Sequence, residues 1–388
     1  MGRTASWGWS KGFDGREVAR QAAQQAINHM GATRPVIGLV FISQEFDMGA
    51  VGNGLANVLG TTPLWGVSTS HPITSAGEQT RAVVIGLFTG SDINAKVSFW
   101  PGFAQNSEET ASQLIQSLYA ESRSLKGLLL AADGINGDVT RVCAALTDFS
   151  SPVAGCMASG DILHGKTYQM AGNQFGTGGL ACATLEGALT IGMGIGHGWS
   201  DMGIYFEISK ARDIWIQQLG QVTAAEAYSR FLGYPAREWA FPPLKELVRL
   251  YPLGIELTPG NSELIIRSPI QVEVDGSLRM NIPVAEGQVA RLLVGDRNNC
   301  LEAAHQAART AIKSLMGAKP LMAVILVDQA WQYLFQSDSN KLIAAIKAEV
   351  GEIPLIGAYT LGQISRQRLE GYVRVYNQNL LVAVFGER

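Results

Sequence analysis

Cysteine is sparse: Cys143, Cys156, Cys182 and Cys300 are the four in 388 residues, and no pair has CxxC spacing. That excludes a zinc-ribbon or thioredoxin-type motif, and the apolar surroundings of three of them read as buried thiols in a reducing compartment. Histidine is equally thin. His29, His71, His164, His197 and His305 show neither HxH nor HxxxH spacing, so no metal site is expected and no cofactor is implied. Charged residues make up only 16% of the chain, the net charge is −3, and no basic cluster is denser than Ser365-Arg366-Gln367-Arg368. A nucleic-acid surface concentrates cations against the phosphates, so that partner is disfavoured. No apolar run approaches about 18 residues, and MGRTASWGWSKGFDGREVAR at the start has no apolar core, which argues against membrane insertion and secretion and for a cytoplasmic protein. There is no GxSxG elbow for a serine nucleophile.

Glycine, by contrast, is plentiful. The 44 glycines, about 11% against a usual share of about 7%, fall mostly at strand ends and read as turns with closely approached backbone. The stretch from Leu125 to Gly187 shows the plan: an apolar strand (127–132), a helix (138–149), a strand running into Gly155-Cys156-Met157-Ala158-Ser159-Gly160, then Asn173-Gln174 and a strand over 178–186. The same order occurs near the start (strand 35–41, helix 49–59, LWGVSTS at 64–70, strand 82–89). It occurs again at the end (strand 321–328, helix 337–350, PLIGAYTLG at 354–362, return 373–386). Three such copies of roughly 60 to 70 residues predict an α/β fold, two related domains with mixed sheets covered by helices. A domain boundary is expected within 200–235, dividing the chain into 1–215 and 216–388. After it, Pro259-Gly260, Asp275-Gly276 and Glu286-Gly287 punctuate short strands as a meander does. The alternation Gly192, Gly194, Gly196, Gly198 lies inside a strand rather than opening a helix, so it reads as a face pressed against another backbone, not as a dinucleotide fingerprint.

Each copy ends a strand in short hydroxyl or thiol residues on a glycine frame. Exposed amides and small polar side chains there suit a small polar or carboxylate-bearing ligand. The candidate ligand residues are Ser68, Thr69, Cys156, Ser159, Asn173, His197, Tyr359, Thr360 and Gln363. Related turns also recur in any fold that repeats itself. No catalytic residues are assigned; an enzyme using Cys156 or a cleft histidine is one alternative. A protein-interaction scaffold, marked by exposure of Trp199, Trp215 and Trp239, is another. Asn377-Gln378 reads as a pair that satisfies buried backbone between sheets.

At these residues the chain resembles the FIST family, over nearly its whole length. LWGVSTS looks like that family's Gly-Cys-Ser-Thr turn with Val67 in place of cysteine. GHGWSDMGIYFEISKARDIWIQQLGQVTAAEAYSRFLG is similar to its bridge ending in an Ala-x-x-x-Tyr helix, here Ala224 to Tyr228. YPLGIEL, SPIQVEVDGSLRMNIPVAEGQV, GAYTLGQI and YNQNLLVAVFGE order as in a FIST C-terminal domain. Two departures stand out: Gln363 replaces the acid of a closing Gly-Glu, and Asp328-Gln329-Ala330-Trp331 stands where a Cys-x-Gly-Arg element is usual. The resemblance implies a sensory or ligand-binding module for small molecules such as amino acids. With the glycine-framed strand ends it leads to the expectation of a cytosolic sensor that binds a small polar metabolite near the inter-domain cleft and passes the signal to a separate partner, with a homo-oligomer left open.

Overall fold

The structure is a computed structural model that describes residues 5–121, 125–162, 164–241, 244–256, 264–366 and 371–387. The Pro259-Gly260 turn and Gln367-Arg368 lie outside the described residues. The first unit runs β1 (Ala5–Lys11), α1 (Gly15–Met30), β2 (Ile37–Ser43), α2 (Met48–Leu59), β3 (Leu64–Thr69), β4 (Pro72–Thr74), β5 (Gly77–Glu78) and β6 (Ala82–Phe88). The second runs β7 (Ile93–Trp100), α3 (Ser107–Glu121), β8 (Leu125–Ala132), α4 (Val139–Ala145), β9 (Val153–Met157), β10 (Gln169–Ala171), β11 (Gln174–Gly176) and β12 (Leu180–Gly187).

The third unit opens with β13 (Leu189–Gly196) and is then interrupted. The insertion comprises β14 (Trp199–Arg212), β15 (Trp215–Leu219), β16 (Val222–Thr223), α5 (Ala224–Leu232), α6 (Leu244–Leu247), β17 (Leu253–Glu256), β18 (Leu264–Arg267), β19 (Pro269–Val272), β20 (Leu278–Met280) and β21 (Val289–Gly295). The unit resumes with α7 (Arg297–Ser314), β22 (Lys319–Asp328), α8 (Gln329–Phe335), α9 (Ser339–Val350), β23 (Leu355–Thr360), β24 (Gly362–Arg366), β25 (Val373–Tyr376) and β26 (Leu380–Glu387).

Among the described residues the three units give three six-stranded mixed sheets on one plan, and the insertion gives an eight-stranded sheet. In each six-stranded sheet the lead strand pairs with the return strand, which pairs with the first strand, which runs parallel to the second. The outer two positions are taken by a hairpin from another unit. β4 and β5 extend the third unit's sheet at β23, β10 and β11 extend the first at β3, and β24 and β25 extend the second at β9. Each unit therefore lends one hairpin and receives one, which covers what would otherwise be a bare sheet edge.

Burial on both faces explains why the first strands are near-continuous apolar runs. In β2, Ile37, Leu39 and Phe41 face a central core shared by all three sheets, where they join Leu129, Ala154, Val324 and Leu381; Phe88 and Phe385 meet there with ring centroids 4.9 Å apart. Val40 and Ile42 face outward onto α1 and α2. Such two-sided burial erases the alternation of a half-exposed strand. The two-domain expectation thus gains a finer description: three units around one core, with a separate core under the inserted sheet built on Tyr228, Trp239, Leu253 and Leu292.

Glycine is needed where backbones touch. A Cβ on Gly66, Gly155 or Gly357 would lie 2.7, 2.6 or 2.0 Å from the carbonyl oxygen of its register partner, Val40, Leu130 or Ile325. The alternating glycines of β13 meet α7 as their spacing suggested: a Cβ on Gly192 or Gly194 would fall 2.1 or 2.0 Å from the Ala311 or Ala307 carbonyl. Among the described residues no helix is long and apolar enough to cross a membrane.

Candidate functional site

Strand direction carries the three corners to one end of the shared core, where they bond to one another. Ser68 Oγ donates to the Ser159 carbonyl at 2.7 Å, and Ser159 Oγ donates to the Tyr359 carbonyl at 2.6 Å. Thr69 Oγ1 donates to the same Tyr359 carbonyl at 2.8 Å, and the Ser70 amide donates to Ser159 Oγ at 3.1 Å. The first unit is therefore bonded to the second and the third, and the second to the third. Ser68, Thr69, Ser159, Thr360 and Gln363 are fully buried, and Gln363 Nε2 reaches Thr360 Oγ1 at 2.9 Å. Over this junction Ser70 Oγ donates to Gln332 Oε1 at 3.0 Å, while Gln332 Nε2 contacts His71 Nδ1 and the Tyr359 hydroxyl meets Glu78. Burial, with the Glu78 carboxylate added, pushes the Tyr359 phenol well above its ordinary value.

The end of each first strand carries a short acceptor that fixes its return strand. Ser43 Oγ accepts from the Ala82 amide at 2.9 Å, Asp133 Oδ2 from Gly178 at 2.7 Å, and Asp328 Oδ2 from Gln378 at 2.8 Å. At Asp328 this device opens into a larger buried network beneath the inserted sheet. Arg249, 3% exposed, donates through Nη1 to Gln329 Oε1 at 2.8 Å. Its carbonyl accepts Gln378 Nε2 at 2.8 Å, and that nitrogen also reaches Ser268 Oγ at 2.7 Å. The Gln378 carbonyl accepts both the Trp199 and Trp331 indoles, at 2.8 and 2.9 Å. Asn281 Nδ2 and Asn377 Nδ2 share the Leu361 carbonyl, at 2.6 and 2.9 Å. Burial raises the Asp328 carboxyl above its ordinary value, opposed by Arg249 and by the amides of Ala330 and Gln378.

Two features of this region bear on its chemistry. Gln378 is held at φ +62°, a left-handed conformation that a non-glycine residue keeps only where its surroundings enforce it. Three buried polar atoms of the network, Arg249 Nε, Gln378 Oε1 and Asn281 Oδ1, have no hydrogen-bond partner, as does Gln363 Oε1 at the junction; seven more such atoms lie elsewhere among the described residues. Buried polar atoms are nearly always bonded, so these groups lack a partner that the described residues do not supply.

Of the nine sequence candidates, Ser68, Thr69, Ser159, Tyr359, Thr360 and Gln363 are brought together. Cys156 is fully buried in the shared core opposite Gln363 in the strand register, and burial pushes its thiol far up, so the reading of a reactive thiol there has no support. Asn173 stands exposed at the tip of the β10–β11 hairpin, and His197 is exposed at the end of β13, where its Nδ1 accepts from the Trp199 amide at 3.3 Å. Trp199 and Trp239 are buried, against the scaffold reading, while Trp215 is about one-third exposed (36%). Asn377 and Gln378 do bind buried carbonyls, as read, whereas Gln174 is exposed beside Asn173. Sequence reasoning missed Arg249, Ser268 and Asn281; the signal available was an arginine flanked by Val248 and Leu250. Among the described residues no His, Cys, Asp or Glu group is arranged to hold a metal ion.

Sequence models of two protein families match the chain: the FIST N domain over residues 36–221 and the FIST C domain over residues 224–366. No curated protein matches. Among solved structures, a chorismatase is similar at 10% identity and a TM-score of 0.40, covering 100% of this chain and 99% of its own. A cyanuric acid hydrolase from A. caulinodans is similar at 11% identity and a TM-score of 0.28, covering 47% of this chain and 71% of its own. PurLQS from Thermotoga maritima is similar at 9% identity and a TM-score of 0.25, covering 99% and 72%.

Proposed function

This chain belongs to the FIST family of signal-transduction sensory domains, and on that premise we propose that it binds a small polar metabolite of amino-acid type between the three-unit core and the inserted sheet. The observation that carries the reading is the set of unpartnered atoms. Arg249 Nε offers a cationic donor, and Gln363, Gln378 and Asn281 offer carbonyl oxygens. A carboxylate complements the first and an ammonium the other three, and an α-amino acid carries both. Asp328 and Gln363, where the chain departs from the usual family pattern, belong to this region, so its selectivity is its own.

The network is sealed, and admission of a ligand requires the inserted sheet to lift from the core. That movement is what a separate signalling partner would sense. The coupling is limited by the ligand's preference for the opened form.

Thermal unfolding with each common amino acid at about 10 mM tests the proposal. A ligand at a hundred times its Kd stabilises by about 2.7 kcal/mol. At least one amino acid is expected to raise the Tm of the wild-type chain, and Arg249→Met is expected to abolish the rise. No rise with any of them, or an undiminished rise in Arg249→Met, overturns the reading.

A further inference from the structure

We infer that the chain has a second, separate ligand site that takes an amphipathic monocarboxylate. It lies at the opposite end of the strands, about 20 Å along β8 from the three-way junction. There the sheets of the second and third units diverge around a cavity of about 710 Å³. Its volume falls within the range of about 300 to 1,000 Å³ common for small-molecule sites.

The lining has two kinds of chemistry. Ile191 and Met193 of β13 give it an apolar wall, while Lys126 at the start of β8 and Arg366 at the end of β24 supply two cations. Arg366 is largely buried and is positioned by a bond from its guanidinium to the Phe149 carbonyl. Thr190 of β13 and Thr310 of α7 add hydroxyls, and no carboxylate is among the described lining residues. A carboxylate head against Lys126 and Arg366 with its hydrocarbon body along Ile191 and Met193 uses both features. A purely apolar guest would make no use of the two cations, and a small inorganic anion would leave the apolar wall wet.

Fluorescence titration of the full chain with anilinonaphthalene sulfonate, an amphipathic anion, followed by displacement with dodecanoate, tests the site. Saturable binding at one equivalent, displaced by dodecanoate but not by dodecanol, is the expected result. Lys126→Glu reverses an exposed charge at the site and is expected to weaken dodecanoate about tenfold at low salt. Thr310→Trp, on the exposed face of α7, fills the cavity and is expected to abolish displacement. Lys210→Glu on the distant inserted sheet controls for net charge and is expected to leave affinity unchanged. Absence of saturable binding, equal displacement by dodecanol, or wild-type affinity in either Lys126→Glu or Thr310→Trp overturns the inference. So does equal weakening by Lys210→Glu.

Discussion

Ser159→Ala is the sharpest test of how the three units are joined. The hydroxyl is fully buried, donates to the Tyr359 carbonyl and accepts from the Ser70 amide. Its loss affects the two partners differently. The Tyr359 carbonyl still receives Thr69 Oγ1 at 2.8 Å, so it stays satisfied. The Ser70 amide is left buried with no acceptor, which costs about 1–3 kcal/mol, and the lost hydrogen bonds add about 1 kcal/mol. The sum is about 3 kcal/mol, a large share of the roughly 5–15 kcal/mol that holds a typical protein folded. Thr69→Val keeps the side chain's shape and removes a donor whose two acceptors retain others: the Tyr359 carbonyl keeps Ser159, and the His71 carbonyl keeps the Tyr359 amide at 3.4 Å. It should cost about 1 kcal/mol. The double variant removes both hydroxyl donors from the Tyr359 carbonyl, so it should exceed the sum of the singles by about 1 kcal/mol. Urea midpoints at unchanged m-value measure all three. Equal costs for the two single variants, or simple additivity in the double, would refute the argument.

Three further outcomes follow from individual groups. Gly357→Ala places a Cβ 2.0 Å from the Ile325 carbonyl and should destabilise by about 2–3 kcal/mol, read from thermal unfolding; a loss under about 0.5 kcal/mol would show that the two strands can part. All four cysteines are buried, with burial pushing the Cys143 and Cys300 thiols up to about 12 and Cys156 higher still, so a thiol reagent should count none in the native chain and four in denaturant. Asp328 has a folded-state pKa raised above its ordinary 3.8, so between these two values the folded state holds a proton that the unfolded state has lost. Stability from this group is therefore full below 3.8 and is lost as pH rises through the folded value. Thermal unfolding of the wild type relative to Asp328→Asn should improve as pH falls toward 4, and a flat difference would contradict it.

Much of the local structure was legible because it rests on local rules. The sequence places a strand, helix and strand at 35–41, 49–59 and 64–70, and the structure has them at Ile37–Ser43, Met48–Leu59 and Leu64–Thr69. Asp275-Gly276 does turn the chain, with Gly276 at φ +83° and Ser277 N bonded to Asp275 at 3.0 Å. The lent hairpins were not legible. Pro72–Thr74 is three residues whose partner, Ile356–Ala358, lies more than 280 positions away, and nothing local encodes that pairing. The hydroxyl corners do lie together at one end of the core, but sequence could not show that their first partners are one another's carbonyls. Arg249 was missed because a charged residue in a short helical stretch normally faces water.

The exchange of hairpins also limits where a signal can leave the molecule. A shift of one unit at the junction disturbs bonds to both of the others, since Ser159 alone links Ser68, Ser70 and Tyr359. The core therefore resists graded movement. The inserted sheet is attached differently: its polar links to the third unit include Arg249, Ser268, Asn281, Arg267 and the Trp199 indole, and its apolar contact runs through Trp199, Ile266 and Leu293. Arg249 and Asn281 among these links carry unpartnered atoms, so on the proposed reading the ligand acts where core and inserted sheet meet. On the proposed reading the core is the fixed frame, and the inserted sheet, with Tyr205 and Trp215 exposed on it, is the part whose position a partner reads.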